Sequence, residues 1–386
     1  MKVQDYAVNN IGVAVDVGST TIGVCCVDLE HNTEILSFSF ANPQHIYGAD
    51  IVTRIKHCVD DNSILHAMHV LVEEELYSQT KAHLHEKYFS VSTIVYSGNT
   101  TMLHIQQELS VNGLAQAPFK PVSLEYADKI IEKNDLNDDF IADVKHTKKY
   151  SNIKNIYLPG LSAFVGADIL SGAVFLKMGK TEKYDLLIDL GTNGEILLLN
   201  KNNGFATSTA CGPVFDHVIS GARYGSESIR VIANCVKRGL IDKTGKLTDA
   251  LFEKGIVIDK NLTVKQENVR NFQLAKGAIY AGIQCVLDKA NIQSNELDKV
   301  YISGGLGFHM DKGSVFILKM LPEEFKDKIV VSGNTSLEGA KQWLLSTKME
   351  QSDLLREYDS IRKRTESFEL ANFDGFQDIY MNSLEF

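Results

Sequence analysis

The feature that most restricts how this chain can fold is a short pattern that occurs twice. Val13, Val15 and Val17 alternate with Ala14 and Asp16, the chain turns at Gly18-Ser19-Thr20-Thr21, and Ile22 to Val27 runs apolar again. Much later, Leu186 to Leu190 enclose Asp189, a second turn follows at Gly191-Thr192-Asn193, and Gly194 to Leu198 resume an apolar run. Apolar runs flanking a turn of glycine and small polar residues read as β-hairpins. Each hairpin is followed by helically spaced segments and then by a short strand ending in Ser-Gly, at Ser97-Gly98 and at Ser303-Gly304. Asp16 to Ser97 is 81 positions and Asp189 to Ser303 is 114, and an insertion at the polar stretch Gly239 to Lys265 accounts for the longer interval. A single Asp-x-Gly hairpin is common and most bind nothing. Two of them in matching order mark an internal duplication, and hence two similar α/β lobes whose turns are expected to face each other.

The elements between these landmarks can be read coarsely. A third strand is expected at Ile35 to Phe40, and helical spacing from Ala49 to Lys87 is interrupted at Asp60-Asp61-Asn62, which predicts two helices. Ser92 to Tyr96 reads as a strand and Met102 to Leu109 as a helix. Pro118, Pro121 and the polar run Glu132 to Asp139 follow, so the boundary between the lobes is set at 153/154, giving a first lobe over 1–153 and a second over 154–386. A strand at Asn155 to Leu158 then leads into a helix over Leu161 to Lys177, with Phe164, Ile169, Ala173 and Val174 on one buried face. Another strand is expected at Gly204 to Thr209 and a long helix at Val269 to Ala290. In the tail, a helix around Leu354 to Ile361, an extended piece at Ser367 to Leu370 and Phe373 to Met381 are expected to pack on the second lobe or on another subunit.

Composition removes several classes of function. Apolar residues at 44% and charged residues at 23% are ordinary globular values. A net charge of −10 repels a phosphate backbone, so no nucleic-acid partner is expected. No cationic and apolar leader opens the chain and no apolar stretch is long enough to span a bilayer, so a cytoplasmic protein with no membrane partner is expected. The six cysteines, Cys25, Cys26, Cys58, Cys211, Cys235 and Cys285, show no zinc or ferredoxin spacing and read as reduced, mostly buried thiols.

The chemistry lies in the repeated turns. A tight turn of glycine and hydroxyl residues points N–H groups and oxygens into one concavity, which suits phosphate. Gly18, Ser19, Thr20 and Thr21 form one such turn, and Gly191, Thr192 and Asn193 the other. Asp16 and Asp189 end the preceding strands, where a carboxylate facing a polyphosphate is repelled unless a hard cation lies between them, so the pair implies Mg²⁺. Gly304 and Gly305, after the last Ser-Gly strand, would lie beside the adenosine of a nucleotide. Other phosphate motifs fail: Val174 occupies the upstream glycine position of a P-loop ending Gly179-Lys180-Thr181, and Met310 the third glycine of a dinucleotide fingerprint. His66 and His69, with Glu73 four further on, share a helical face and could bind a metal, although a solvated face explains them as well.

The motifs also carry a resemblance. Val15 to Thr21, Asn42-Pro43-Gln44 with Tyr47 to Asp50, Ser97 to Met102, Leu158 to Asp168, Asp189 to Glu195 and Asn334 to Leu337 resemble the actin, sugar kinase and heat-shock chaperone superfamily. Within it they look like the ATPase part of the reductive activators of corrinoid proteins. The resemblance implies duplicated RNase H-like, actin-like lobes around a nucleotide cleft, with ATP and Mg²⁺ as cofactors. It implies hydrolysis coupled to returning an inactive Co(II) corrinoid on a methyltransferase partner to Co(I). Asp168 would orient the attacking water, with Glu195 as a second candidate. Family members carry an additional iron–sulfur domain, whereas this chain opens directly on the first lobe. No iron–sulfur cluster is therefore expected in this chain, and the electron is expected from a separate donor. A homodimer stays open, as do two alternative functions on the same fold: a small-molecule kinase and a non-catalytic nucleotide sensor.

Overall fold

A computed structural model describes residues 10–84, 91–131, 153–191, 193–209, 225–308 and 311–386, together with Phe215, Val218, Ile219 and Ala222. The chain divides into two compact units, one formed by Met1–Leu176 and Ser336–Arg362, the other by Lys177–Thr335 and Lys363–Phe386.

The first unit is built on β1 (Ile11–Val17), β2 (Thr21–Asp28), β3 (Thr33–Ala41), β4 (Val91–Gly98), β5 (Ala127–Ile131) and β6 (Ile153–Tyr157), in the order β3-β2-β1-β4-β6-β5. β1 is buried along nearly its whole length, as a central strand covered on both faces must be. Two helices follow β3, as the break at Asp60-Asp61-Asn62 predicts: α1 (Ile51–Asp60), capped by Asp50 accepting from Thr53 N–H at 2.8 Å, and α2 (Ser63–His83). Leu65, Met68, Val72, Leu76 and Thr80 recur along α2 at three- and four-residue steps and form its buried face. α3 (Thr100–Gln106) leaves β4 directly, and α4 (Ala167–Phe175) follows β6.

α4 begins six residues later than the spacing suggests. Leu161 and Ser162 N–H both donate to Val165 O, and this turn occupies the stretch before the helix starts behind Gly166. Phe164, expected on the buried helix face, therefore lies outside the helix, is 41% exposed and packs edge-on against Phe119. The 153/154 division of the sequence falls inside β6, a strand that pairs with β4 and β5.

The second unit contains β7 (Asp185–Leu190), β8 (Gly194–Leu199), β9 (Gly204–Thr209), a short hairpin of β10 (Ile256–Val257) and β11 (Thr263–Val264), β12 (Val300–Ser303) and β13 (Ile329–Gly333). Its helices are α5 (Gly225–Lys237), α6 (Gln266–Ala290), α7 (Gly304–Phe308) and α8 (Lys312–Ile317). The chain then supplies α9 (Thr335–Leu345) and α10 (Lys348–Arg364), both almost wholly in the first unit, before β14 (Thr365–Ser367) and α11 (Phe376–Asn382) complete the second. The tail is thus divided. Tyr358 and Ile361 of α10 are buried, and Arg362 makes a bidentate contact with Glu125 at 2.6 and 2.7 Å. β14 instead pairs with β9, so the main sheet of the second unit reads β13-β12-β7-β8-β9-β14.

The two sheets share one plan. β3-β2-β1-β4-β6 and β9-β8-β7-β12-β13 have the same order, with antiparallel pairs on the hairpin side and parallel pairs on the other. This mixed five-stranded arrangement, present twice, is the duplicated RNase H-like α/β architecture. No helix among the described residues is long and apolar enough to cross a membrane.

Candidate functional site

The first turn closes because residue 18 lacks a side chain. Gly18 N–H donates to Asp16 O at 3.1 Å, and a Cβ at Gly18 would sit 2.4 Å from Thr21 O. Asn42, just beyond β3, holds the turn from behind: its Nδ2 donates to Gly18 O and its own N–H to Thr20 O, both at 2.8 Å. Asn42 Oδ1 accepts from Gln44 N–H at 2.9 Å, and Gln44 Oε1 accepts from Arg54 Nη1 at 3.3 Å. Arg54 is fully buried in α1 and donates through Nε to Gly48 O at 3.0 Å. Burial pulls its guanidinium below the usual pKa, and its Nη2 has no hydrogen-bond partner among the described residues. The Asn42-Pro43-Gln44 and Tyr47–Asp50 motifs thus have a physical task, which is to brace the Gly18–Thr21 turn. Of the residues expected there, Thr20 and Thr21 are exposed and Ser19 is buried.

Asp16 stands at the end of β1 and is half-buried. Its register partner on the parallel strand β4 is Ser97, and its Oδ1 accepts from Ser336 Oγ at 2.7 Å. Asp168 lies in the first turn of α4, half-buried, with its Oδ1 accepting from Ile169 N–H at 2.8 Å. The helix start is pressed against the β4–α3 turn, since a Cβ on Gly166 would meet Gly98 O and Asn99 Cα at 2.6 Å. Asp168 therefore belongs to the same end of the sheet as Asp16 and Ser97.

In the second unit the register repeats. Asp189 partners Ser303 across the parallel β7–β12 pair, and Ser303 Oγ donates to Asp189 Oδ2 at 2.6 Å. On the other side Asp189 partners Glu195 of β8 across an antiparallel pair, which places both carboxylates on one sheet face. The equivalent partner of Asp16 is Gly23, so the second unit carries a carboxylate where the first has none. Gly191 N–H donates to Asn193 O at 3.1 Å, tightening the turn, and Asn193 is half-buried. Thr192 lies outside the described residues. Gly304 has φ +84°, and a Cβ there would sit 2.6 Å from Leu190 O and 2.7 Å from Asp189 Oδ1. A Cβ on Gly305 would meet nothing within 4 Å. The two glycines thus have different tasks: Gly304 permits close approach to Asp189, and Gly305 borders open space.

The donor chemistry suits a hard cation. Each unit presents a carboxylate at a strand end beside hydroxyl and backbone groups, and among the described residues no three His, Cys, Asp or Glu side chains converge into an all-protein metal cage. Mg²⁺ is commonly held by one or two carboxylates together with waters and substrate phosphates, so these residues fit it. His66, His69 and Glu73 form no such group: His66 Nδ1 pairs with Glu108 at 2.6 Å, and Glu73 accepts from Tyr96 OH at 2.7 Å and Gln106 Nε2 at 3.1 Å. Cys25, Cys26, Cys58, Cys235 and Cys285 are buried, and burial pushes the thiols up, to about 11 for Cys25 and about 12 for Cys26 and Cys285. Cys211 lies outside the described residues.

Two residues important to this geometry had no role in the sequence reading. Ser336 lies in the Asn334–Leu337 motif, which marked it without saying what it touches, and Arg54 carried no signal of its own.

Comparison with known proteins finds relatives over nearly the whole chain. The RACo middle region matches residues 11–181, and the C-terminal domain of RACo, the ASKHA domain, matches residues 219–386. The corrinoid activation enzyme RamQ of Eubacterium limosum is 27% identical, over 97% of this chain and 70% of its own length. The [Co(II) methylated amine-specific corrinoid protein] reductase of Methanosarcina barkeri is 22% identical, over 97% of this chain and 77% of its own. Among solved structures, a reductive activator for corrinoid, iron–sulfur protein superposes with a TM-score of 0.82 at 23% identity, covering 99% of this chain and 67% of that one.

Proposed function

The chain belongs to the RACo family, through both its middle region and its C-terminal ASKHA domain, and from that premise we propose that it is a Mg²⁺-dependent ATPase supporting the reductive activation of a corrinoid protein. The corrinoid partner is a methyltransferase component, and the electron comes from a separate donor. The relatives named for corrinoid activation and corrinoid-protein reduction support the partner class. The observation that carries the nucleotide reading is the repeated strand-end pair, Asp16 with Ser97 and Asp189 with Ser303, each in register and each beside a glycine turn.

In this reading the Gly18–Thr21 turn, braced by Asn42, and the Gly191–Asn193 turn bind phosphate oxygens through N–H and hydroxyl groups. Asp16 and Asp189 would hold Mg²⁺, which when bound neutralises charge between carboxylate and polyphosphate. Gly304 and Gly305 border the adenosine. Asp168 orients the attacking water, and Glu195, next to Asp189, is the second candidate for that role. Phosphoryl transfer to water needs mostly positioning and charge neutralisation, so these groups suffice without a covalent intermediate.

The test is an ATPase assay with a candidate corrinoid protein and an electron donor, with the cobalt oxidation state followed optically. ATP- and Mg²⁺-dependent conversion of Co(II) to Co(I) is the expected result. Tight ATP binding with no turnover in the complete mixture would instead favour a nucleotide sensor, and phosphorylation of a small acceptor a kinase.

A further inference from the structure

Behind Asp16 runs a line of buried hydroxyl groups. Ser336 Oγ lies 2.7 Å from Asp16 Oδ1 and 2.9 Å from Ser97 Oγ; Ser97 Oγ lies 3.2 Å from Ser171 Oγ, which lies 3.2 Å from Tyr358 OH. Ser97 and Ser171 are 0% exposed, Tyr358 1% and Ser336 3%, so no member is bathed by solvent. The four groups come from four elements, β4, α4, α9 and α10, all within the first unit.

Each hydroxyl has one proton to donate, while an ionised carboxylate only accepts. With Asp16 at one end, the bonding therefore has one self-consistent direction: Tyr358 to Ser171, Ser171 to Ser97, Ser97 to Ser336, and Ser336 to Asp16. Hydrogen bonds aligned this way polarise one another, and the last is charge-assisted. The second unit reaches the same end with one residue, because Ser303 donates to Asp189 directly. In the first unit, Ser97 stands in the place of Ser303 and its hydroxyl backs Ser336, which makes the contact to the carboxylate.

We propose that Ser336 is a positioning residue for metal binding, holding the Asp16 carboxylate in one rotation, and that Ser97, Ser171 and Tyr358 keep the Ser336 hydroxyl aimed at it. This rests on the reading of Asp16 as a Mg²⁺ group. It assigns to the segment returning from β13 a part in the first phosphate site.

The experiment titrates Mg²⁺ against binding of a fluorescent ATP analogue to the full chain, with a parallel titration in EDTA. Ser336→Ala should raise the Mg²⁺ concentration for half-maximal binding by about tenfold while changing metal-free affinity less than about twofold. Ser336→Thr, which keeps a hydroxyl, should restore most of the loss. Tyr358→Phe, at the far end of the line, should shift the Mg²⁺ midpoint in the same direction by about threefold. If Ser336→Ala does not fold, Tyr358→Phe carries the test. A Mg²⁺ midpoint unchanged in the folded variants overturns the positioning role, while a wild-type chain that binds no nucleotide, or binds it without regard to Mg²⁺, overturns the underlying reading and this inference with it.

Discussion

Ser303 donates a 2.6 Å hydrogen bond to Asp189 from the neighbouring parallel strand, and the two residues are register partners although 114 positions separate them. The same register joins Asp16 to Ser97 in the first unit. A carboxylate held this way has its rotation set by a fixed donor on the neighbouring strand.

Removing the second-unit hydroxyl and removing the charge should have separable effects. Ser303→Ala leaves the carboxylate without a charge-assisted donor and should weaken Mg²⁺-dependent ATP binding by about three- to tenfold. Asp189→Asn removes the anion and should weaken it by about a hundredfold, with little change in metal-free binding. Isothermal titration with and without Mg²⁺ reads both.

Gly304 and Gly305 should respond in opposite ways to alanine. At Gly304 the positive φ and the approach to Leu190 O and Asp189 Oδ1 leave no room, so Gly304→Ala should destabilise by about 2–3 kcal/mol and weaken nucleotide binding. Gly305→Ala should leave stability within about 0.5 kcal/mol, because its Cβ enters open space. Urea denaturation measures the first quantity and nucleotide titration the second.

If Asp168 orients the attacking water, Asp168→Asn should lower ATP turnover by about a hundredfold while ATP affinity changes by less than about threefold. Glu195→Gln separates two roles for its position. Loss of turnover at constant affinity makes it part of the hydrolytic machinery, whereas a change in Mg²⁺ requirement makes it part of the charge set around Asp189. Single-turnover assays with a parallel binding curve decide between them.

Glu73 gives a pH signature independent of nucleotide. Burial drives its pKa from 4.5 to about 7, against the opposing effect of the Tyr96 and Gln106 hydrogen bonds. The native state then holds this proton more tightly than the unfolded chain. Its contribution is complete below about pH 4.5 and is lost as pH climbs through about 7. The residue as a whole is only half-buried, so the loss should be on the order of 1–2 kcal/mol rather than the full shift. Urea unfolding at pH 5.5 and 8 should show the decline in the wild type, and Glu73→Gln should flatten it.

Much of the fold was legible because its signals are local. Apolar alternation around Asp16 and Asp189, the Asp60-Asp61-Asn62 break and the Ser-Gly strand ends each declare themselves within a few residues, and the matching order of the pieces announces the duplication. The start of the helix after Gly160 is hidden from apolar spacing for a local reason as well. The Ser162–Val165 turn is held by backbone hydrogen bonds and by Ser162 Oγ accepting from Phe164 and Val165 N–H at 3.3 and 3.1 Å, which apolar periodicity does not record, so Phe164 has the spacing of a helix-face residue although it precedes the helix.

The two hairpins and their Asp-x-Gly turns are written in the sequence, since they follow from short-range periodicity and turn chemistry. Long-range packing alone brings Ser336 to Asp16 across 320 positions, sets Arg54 and Asn42 behind Gly18, joins β6 and most of α10 to the first unit, and presses Gly304 rather than Gly305 against Asp189. The reason is physical: these relations depend on which distant segments the packing of apolar faces brings together. One hydroxyl donor looks like any other in the chain until burial removes the water it would otherwise bind.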